Sequence, residues 1–398
     1  MNEILSTFCK FLFCCLIVFI LFKLEHNILC YLFLIVLGIL FLDLVFRILY
    51  YRKYRKSYVN QEIISLDDFM ITDHPYLPFA LKKEFKKSKL IRANYPLSSK
   101  NKYFFPQIGT NNIGVVNGPD GCKNIKLRTS KIRVVCLGAS TTGNYIQEGD
   151  NVYSYPNLLE KQLNIEKPGT YEVINAGIGG YNSADILIFY LLCIQDLKPD
   201  IVILYHGYND IRHYLSKGFK SDYSHSIINF AAKKSVYKYN KYFPSIKIAW
   251  INFLINKLPF INVRNSLLKQ IYSGKFDINL DPTKGLEVYR RNITNLVKSV
   301  KNSGSRIILS SFCHYYDPTT SKLQSNITFD NIIKKENKIT YNISNNENCD
   351  YLDITLMIPK NNNYFVDSIH FSPEGMKLMA KTLSAKILSM GDTKNKLF

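Results

Sequence analysis

The sequence predicts an α/β protein: a three-layer α/β/α sandwich with a mainly parallel sheet, preceded by an N-terminal transmembrane helical hairpin. Three observations predict it. Apolar runs of strand length alternate with stretches of helical periodicity over most of the chain. Three of those runs lead directly into glycine-rich or polar segments, as the carboxyl ends of parallel strands often do. Two long apolar stretches occupy residues 1–50.

The predicted strands and helices follow one another in order. Strands are expected at Ile132–Leu137, Tyr171–Asn175, Ile201–Tyr205, Arg306–Ser310 and Tyr351–Ile354. Helices are expected at Tyr153–Leu163, Ala184–Gln195, Val288–Lys301 and Phe329–Asn345, with a last one that Ser372 and Pro373 begin and that ends near Ser389. This alternation implies a parallel sheet covered by helices on both faces.

The first fifty residues hold two apolar stretches, Ile4–Phe22 and Ile28–Tyr50, each about as long as a helix that spans a bilayer. A short polar connection between them predicts a helical hairpin. A cleaved signal peptide is the alternative for the first stretch, but no small-residue cleavage site follows it. Asp43 and Arg47 lie one helical turn apart, so we expect them to pair.

The charges beside the second stretch bear on the side of the membrane. Four basic residues follow it at once, Arg52, Lys53, Arg55 and Lys56. The positive-inside rule therefore favours a cytoplasmic location for the rest of the chain. If the first stretch were cleaved or did not insert, that part would lie outside, so an extracytoplasmic location stays open.

Composition and charge divide the 398 residues into three predicted parts. They are a membrane anchor at 1–50, a basic, proline-containing linker or wrapping region at 51–130, and the α/β domain at 131–391. The anchor is neutral, so the net charge of +20 belongs to the rest. A basic, aromatic-rich insertion at about 211–280 is expected to contact anionic lipid headgroups, or else to be a solvated basic face. No nucleic-acid motif accompanies it.

The cysteines give no sign of a metal or a disulfide framework. There are nine, without a Cys-x-x-Cys pair or dense spacing. Mostly reduced thiols are expected, which mildly favours a cytoplasmic domain. Neither a metal nor a cofactor is predicted.

Two segments after strands suit acyl transfer, which needs a nucleophile, a base and donors for an oxyanion. Ser140 follows the first strand in Gly138–Thr142, where small residues allow a sharp turn. Asn209 follows the third strand in Gly207–Asp210 and offers a neutral amide donor. Taken alone, the first segment equally fits an ordinary helix cap, and the second an Asn-Asp turn in which Asp210 supports the turn or caps a helix.

Two further segments supply the remaining parts. Gly177–Gly180 follows the second strand, and its glycines let backbone N–H groups approach a substrate oxygen, although most glycine clusters are plain turns. Asp367 and His370 stand three residues apart, so one bend brings carboxylate and imidazole into hydrogen-bond reach. Six other histidines compete for the role of base, His26, His74, His206, His213, His225 and His314. His370 is preferred because it alone combines this aspartate spacing with a helix start behind it.

Together these four segments resemble the SGNH hydrolase superfamily, also called the GDSL esterase/lipase family, over roughly residues 131–390. The resemblance implies that Ser140 is the nucleophile and that His370 and Asp367 complete the catalytic triad. It also implies an oxyanion hole formed by Ser140, Gly180 and Asn209. Ala139 replaces the aspartate usual in the first motif, which bears on subfamily rather than on the triad.

The predicted function is that of a membrane-anchored serine esterase that hydrolyses an O-acyl ester, such as an O-acetyl ester, of a carbohydrate or lipid through an acyl-enzyme. One alternative is an O-acyltransferase of polysaccharide or envelope modification that uses the same triad. The second alternative is a non-catalytic, membrane-associated binding protein. The expected partners are the ester substrate and the membrane, and no nucleic acid.

Overall fold

The computed structural model describes residues 8–15, 17, 27–54, 71–72, 74–86, 106, 108–127, 129–225, 277–316 and 323–391. The chain divides into two compact units, one of Met1–Leu66 with Ala232–Tyr272, the other of Asp67–Ala231 with Ser273–Phe398. Most of the predicted basic insertion, residues 226–276, lies outside the described residues. Much of the predicted linker does so too, and both assignments stay predictions.

The second unit is built on a five-stranded sheet in which every pair of neighbours is parallel, in the order β6-β3-β7-β8-β9. Two antiparallel ribbons, β1-β2 and β4-β5, accompany it. The strands are β1 (Ile71–Thr72), β2 (Ala80–Leu81), β3 (Ile132–Gly138), β4 (Ile146–Glu148), β5 (Asn151–Tyr153), β6 (Tyr171–Gly177), β7 (Ile201–Tyr205), β8 (Arg306–Ser310) and β9 (Asp350–Leu352). The mainly parallel sheet is therefore confirmed.

Helices follow the sheet strands and form two groups. Those of the second unit are α2 (Ser140–Gly143), α3 (Tyr155–Glu166), α4 (Ser183–Phe189), α5 (Tyr208–Tyr214), α6 (Thr283–Asn302), α7 (Leu323–Asn346), α8 (Ile354–Met357) and α9 (Pro373–Ser389). Helix α3 packs against α9, whereas α6 packs against α4, α5 and α7. Because crossovers between parallel strands are almost always right-handed, those that leave to either side of β3 are expected to place helices on both faces of the sheet.

Local sequence explains where these elements begin and end. All residues of β3 and β7 are buried, which accounts for their continuous apolar runs. Helix α9 begins as predicted, because Ser372 Oγ accepts a hydrogen bond from the Gly375 N–H at 3.2 Å. The predicted strand Tyr351–Ile354 is too long: β9 ends at Leu352, since Asp353 caps α8 by accepting the Thr355 N–H at 3.0 Å.

The strand order places the functional segments together. Strand β6 lies on one side of β3 while β7, β8 and β9 lie on the other, so the chain reverses its direction of progress at the β3–β7 boundary. In open parallel sheets, ligands bind outside the carboxyl ends of the strands at this reversal point. Ser140 follows β3 and Asn209 follows β7, which puts both predicted site residues at this crevice.

The first unit contains α1 (Asn27–Tyr54), and residues 8–15 are also helical. The predicted pair is confirmed: Asp43 Oδ2 lies 2.9 Å from Arg47 Nε, with both side chains buried. Within the described part of the chain, no helix combines the length and apolar character that crossing a bilayer requires. The predicted transmembrane hairpin is therefore not supported.

Candidate active site

Ser140 is the first residue of α2, directly after β3. The turn between them is tight. A β-carbon at Gly138 would lie 2.2 Å from Thr142 Oγ1 and 2.5 Å from the Tyr205 carbonyl oxygen, so only glycine fits. The hydroxyl of Thr142 in turn accepts a hydrogen bond from the Tyr155 hydroxyl at 3.1 Å. These contacts fix the short helix, and therefore Ser140, against the carboxyl end of the sheet.

The structure joins the three predicted triad residues in one hydrogen-bonded chain. Ser140 Oγ lies 3.0 Å from His370 Nε2, and His370 Nδ1 lies 2.7 Å from Asp367 Oδ2. The segments that carry them are 230 residues apart in sequence. With Nδ1 donating to the carboxylate, a neutral imidazole presents Nε2 as the acceptor, which is the tautomer that proton abstraction from a serine requires.

The Asp367 carboxylate is held in its ionised form. Its second oxygen, Oδ1, accepts the backbone N–H of Ile369 at 2.9 Å and that of His370 at 2.7 Å. Burial by itself would raise the pKa of Asp367, but the hydrogen bonds and the charge of His370, with the backbone donors, keep it below its usual value. An ionised Asp367 both orients the imidazole and stabilises an imidazolium.

The three predicted oxyanion donors come from adjoining segments. A β-carbon at Gly179 would lie 3.6 Å from Ser140 Cβ, so the glycine loop after β6 packs against the nucleophile. Gly180 has a φ of 90°, a conformation that favours glycine. Asn209 Nδ2 donates to the carbonyl of Tyr181, the residue after Gly180, at 2.8 Å. Its amide therefore lies beside the glycine loop with one N–H still available.

Two other histidines among the described residues also pair with aspartates. His206 Nε2 lies 2.6 Å from Asp210 Oδ2, and His314 Nε2 lies 2.8 Å from Asp330 Oδ1. Neither pair has the three-residue spacing from aspartate to histidine that singled out Asp367 and His370 in the sequence. Of the three pairs, only the one with His370 also bonds to the Ser140 hydroxyl, which is what a general base for Ser140 requires.

The structure corrects the expectation for Asp210. It lies within the first turn of α5, whose N-cap position is Gly207, so it does not cap that helix. Its buried carboxylate instead binds Ser183, 27 residues earlier in the chain. No sequence signal marks this contact, because the starts of α4 and α5 come together only when the sheet has folded.

Among the described residues, no metal-binding cluster and neither of the two buried thiols offers a second reactive site. No group of three or more His, Cys, Asp or Glu side chains there could hold a metal ion. Cys136 and Cys313 are buried, and burial raises the pKa of both thiols, which keeps them in the unreactive protonated form.

Comparison with known proteins identifies the family of the chain. The model of the GDSL-like lipase/acylhydrolase family matches residues 136–378, a range that includes the predicted triad and the predicted oxyanion residues. The chain belongs to this family. It is accordingly a carboxylic ester hydrolase, and the predicted resemblance is confirmed.

Solved structures of a lipase/acylhydrolase and of an esterase are similar to about two thirds of the chain. A lipase/acylhydrolase from Enterococcus faecalis is 16% identical, with 65% of this chain and 96% of that one covered and a TM-score of 0.40. An acetylxylan esterase from Geobacillus stearothermophilus is 16% identical, with 66% and 96% covered and a TM-score of 0.38. No curated protein matches the chain.

Proposed function

We propose that this GDSL-family enzyme is a serine esterase that works through a Ser140-His370-Asp367 triad and an acyl-enzyme. The observation that carries the proposal is the continuous chain of hydrogen bonds, at 3.0 Å and 2.7 Å, from the Ser140 hydroxyl through His370 to Asp367. It is the geometry by which a neutral imidazole takes a proton from a serine.

In the proposed first half-reaction, Ser140 Oγ attacks the ester carbonyl carbon while His370 Nε2 takes its proton. The carbonyl oxygen becomes an oxyanion that the Ser140 and Gly180 N–H groups and the Asn209 amide bind. Collapse breaks the bond to the alcohol oxygen, which takes the proton from His370, and the acyl group stays on Ser140.

In the second half-reaction, His370 takes a proton from water, which attacks the acyl carbon. The second oxyanion collapses, the acid leaves and Ser140 recovers its proton from His370. Asp367 stays ionised throughout, consistent with its lowered pKa. The cycle needs neither a metal nor a cofactor, because charge develops only on groups that these residues contact.

Fluorophosphonate labelling of the full chain tests the proposal. We expect the wild type to be labelled on Ser140, and Ser140→Ala to be unlabelled and to lose hydrolysis of p-nitrophenyl acetate by several orders of magnitude. Thr141→Ala, next to the nucleophile but outside the triad, is the control and should still be labelled. An unlabelled wild type would favour a non-catalytic binding protein instead.

We propose as substrate an O-acyl ester, with O-acetyl included, of a carbohydrate or lipid. The family's range of lipases and acylhydrolases supports this class. Release of acetate from acetylated oligosaccharides, measured beside release of fatty acid from phospholipid vesicles, separates the two alcohols. Transfer to an added glycan acceptor that exceeds hydrolysis would instead identify an acyltransferase.

We also propose that the N-terminal part attaches the enzyme to a membrane, with the hydrolase unit on the cytoplasmic side. Support comes from the apolar N-terminal sequence, from the basic residues after it and from exposed apolar side chains of α1, among them Leu32, Ile35 and Phe41. Carbonate extraction tests attachment. Reporter fusions after residue 66 and at the C-terminus test the side, and reporters active only outside the cytoplasm would reverse that assignment.

A further inference from the structure

Asp210 directly follows Asn209, but its carboxylate binds the start of α4. Asp210 is fully buried, and its Oδ2 accepts the Ser183 N–H at 2.9 Å while its Oδ1 accepts the Ser183 hydroxyl at 2.6 Å. Tyr223 donates its hydroxyl to the same Oδ1, and His206 Nε2 lies 2.6 Å from Oδ2. The carboxylate therefore makes four hydrogen bonds to three residues and links α5 to the start of α4.

Ser183 is itself held firmly. It is the first residue of α4, whose N-cap Asn182 forms a capping box with Asp185. Its hydroxyl also accepts a hydrogen bond from Asn292 Nδ2 of α6 at 2.9 Å. Ser183 is thus the fixed end of the segment that begins at Gly180. A side chain that binds Ser183 anchors this segment.

The segment that carries Gly180 and the segment that carries Asn209 are therefore joined by two sets of hydrogen bonds. One link is the hydrogen bond from the Asn209 amide to the Tyr181 carbonyl, and the other is the bond pair between Asp210 and Ser183. Asn209 has two amide hydrogens, and one of them is needed for the substrate oxygen in the proposed mechanism. The Asp210 link fixes the backbone without using any group that the substrate needs.

We propose that Asp210 is a positioning residue that holds the Asn209 amide and the Gly180 N–H at the separation an oxyanion requires. The inference rests on the proposed function. It assigns Asp210 no contact with the substrate, and its effect passes through the two donors. Small displacements of oxyanion donors have large effects on rate, because these donors act at hydrogen-bond distance on a charge that develops only in the transition state.

The charge of Asp210 is part of this arrangement. Burial alone would raise its pKa, but the hydrogen bond and charge of His206, with the hydroxyls of Ser183 and Tyr223, hold the pKa below its usual value. The variant Asp210→Asn keeps the shape but places an amide N–H₂ against donors. We therefore expect it to loosen the link between the loops without opening a cavity.

A double-mutant cycle in the full chain tests the proposal with p-nitrophenyl acetate. Asn209→Ala is expected to lower kcat by about 10²–10³-fold and Asp210→Asn by about 10–100-fold, each with KM changed less than about threefold. The double variant should lose less than the product of the two single losses, because the part of the Asp210 effect that passes through Asn209 is already lost in Asn209→Ala. Multiplied effects, or a loss confined to KM, would overturn the positioning role.

Val300→Ala is the stability control, since it truncates a buried side chain near the C-terminal end of α6. It should lower the melting temperature while keeping kcat. Equal losses of kcat in Val300→Ala and Asp210→Asn would show that Asp210 is only structural.

Ser183→Ala tests the same link from its other end. It removes the hydroxyl donor to Asp210 and should lower kcat by about tenfold with KM unchanged, even if Asp210→Asn does not fold. A wild-type kcat in Ser183→Ala would contradict the proposal. The outcome for Ser140→Ala is independent: if that variant keeps its activity, the proposed function fails, whatever the cycle shows.

Discussion

Gly143 and Gly177 touch so closely that neither position has room for a side chain. A β-carbon at Gly177 would lie 2.2 Å from the Gly143 nitrogen, and one at Gly143 would lie 2.3 Å from the Gly177 carbonyl oxygen. Gly143 ends the helix that Ser140 begins, and Gly177 ends the strand that leads to Gly180. This contact therefore sets the distance between nucleophile and oxyanion loop.

Gly177→Ala should separate these segments. The new methyl meets backbone rather than a flexible side chain, so we expect a loss of stability of about 1–3 kcal/mol and a fall in kcat of at least about tenfold. Thermal denaturation and ester hydrolysis measure the two effects. Gly169→Ala is the control, because its β-carbon meets nothing within 4 Å although its φ is 70°; it should lose stability but keep kcat.

Gly180→Ala isolates backbone conformation from packing. Its β-carbon would meet nothing within 4 Å, but its φ of 90° strains any other residue by about 1–2 kcal/mol. We expect relaxation of this strain to tilt the Gly180 N–H and lower kcat more than it changes KM. Gly304→Ala, with a φ of 83° and equally open space at the other end of the sheet, is the matched control. Equal kcat values in the two variants would argue against an oxyanion role for Gly180.

Asp367→Asn should lower kcat by about 10⁴-fold, since an amide in place of the carboxylate favours the wrong His370 tautomer. Asp330→Asn is the control, because Asp330 forms the same kind of pair with His314 at 2.8 Å but has no link to Ser140. It should keep most of the activity. If instead Asp330→Asn inactivates the enzyme and Asp367→Asn does not, the triad is wrongly assigned.

The buried carboxyl group of Asp185 should make the stability of the folded protein depend on pH. Burial, countered by the hydrogen bond from the Asn182 N–H and reinforced by the charge of Asp210, raises its pKa to about 7. In the unfolded chain a carboxyl group titrates near pH 4. Between about pH 4 and pH 7, Asp185 is therefore protonated in the native state but ionised in the unfolded chain. The stability that protonated Asp185 contributes is complete below about pH 4 and is lost as pH rises to about 7.

Melting temperatures of the wild type and Asp185→Asn from pH 4 to pH 8 check this. The wild type should lose at least about 3 °C relative to the variant between pH 4 and pH 7, because the asparagine does not titrate. Asp353→Asn is the control: Asp353 also caps a helix, but its pKa is lowered, so its contribution changes only below about pH 4. Parallel curves for wild type and Asp185→Asn would contradict the assignment.

Much of the sheet could be predicted because each strand carries its own signal. Ile201–Tyr205 and Arg306–Ser310 form strands at the predicted bounds, since the first is an uninterrupted apolar run and the second has an apolar centre, Ile307–Leu309, that is buried. The bounds of the helices were less accurate. The predicted helix at Ala184–Gln195 ends its regular α-helical part at Phe189 and continues as a π-turn and a 3₁₀-turn.

The sequence by itself determined the alternation of strands and helices and the residue types of the site, because periodicity, turn chemistry and the Asp367-His370 spacing are local properties. Only the tertiary structure decided that His370, rather than His206 or His314, bonds to Ser140. It also decided that the Asp210 carboxylate binds Ser183, at the start of a different helix, instead of a group in its own segment. These contacts join segments far apart in the chain, and their partners are set by the order and register of parallel strands, which no short stretch of sequence encodes.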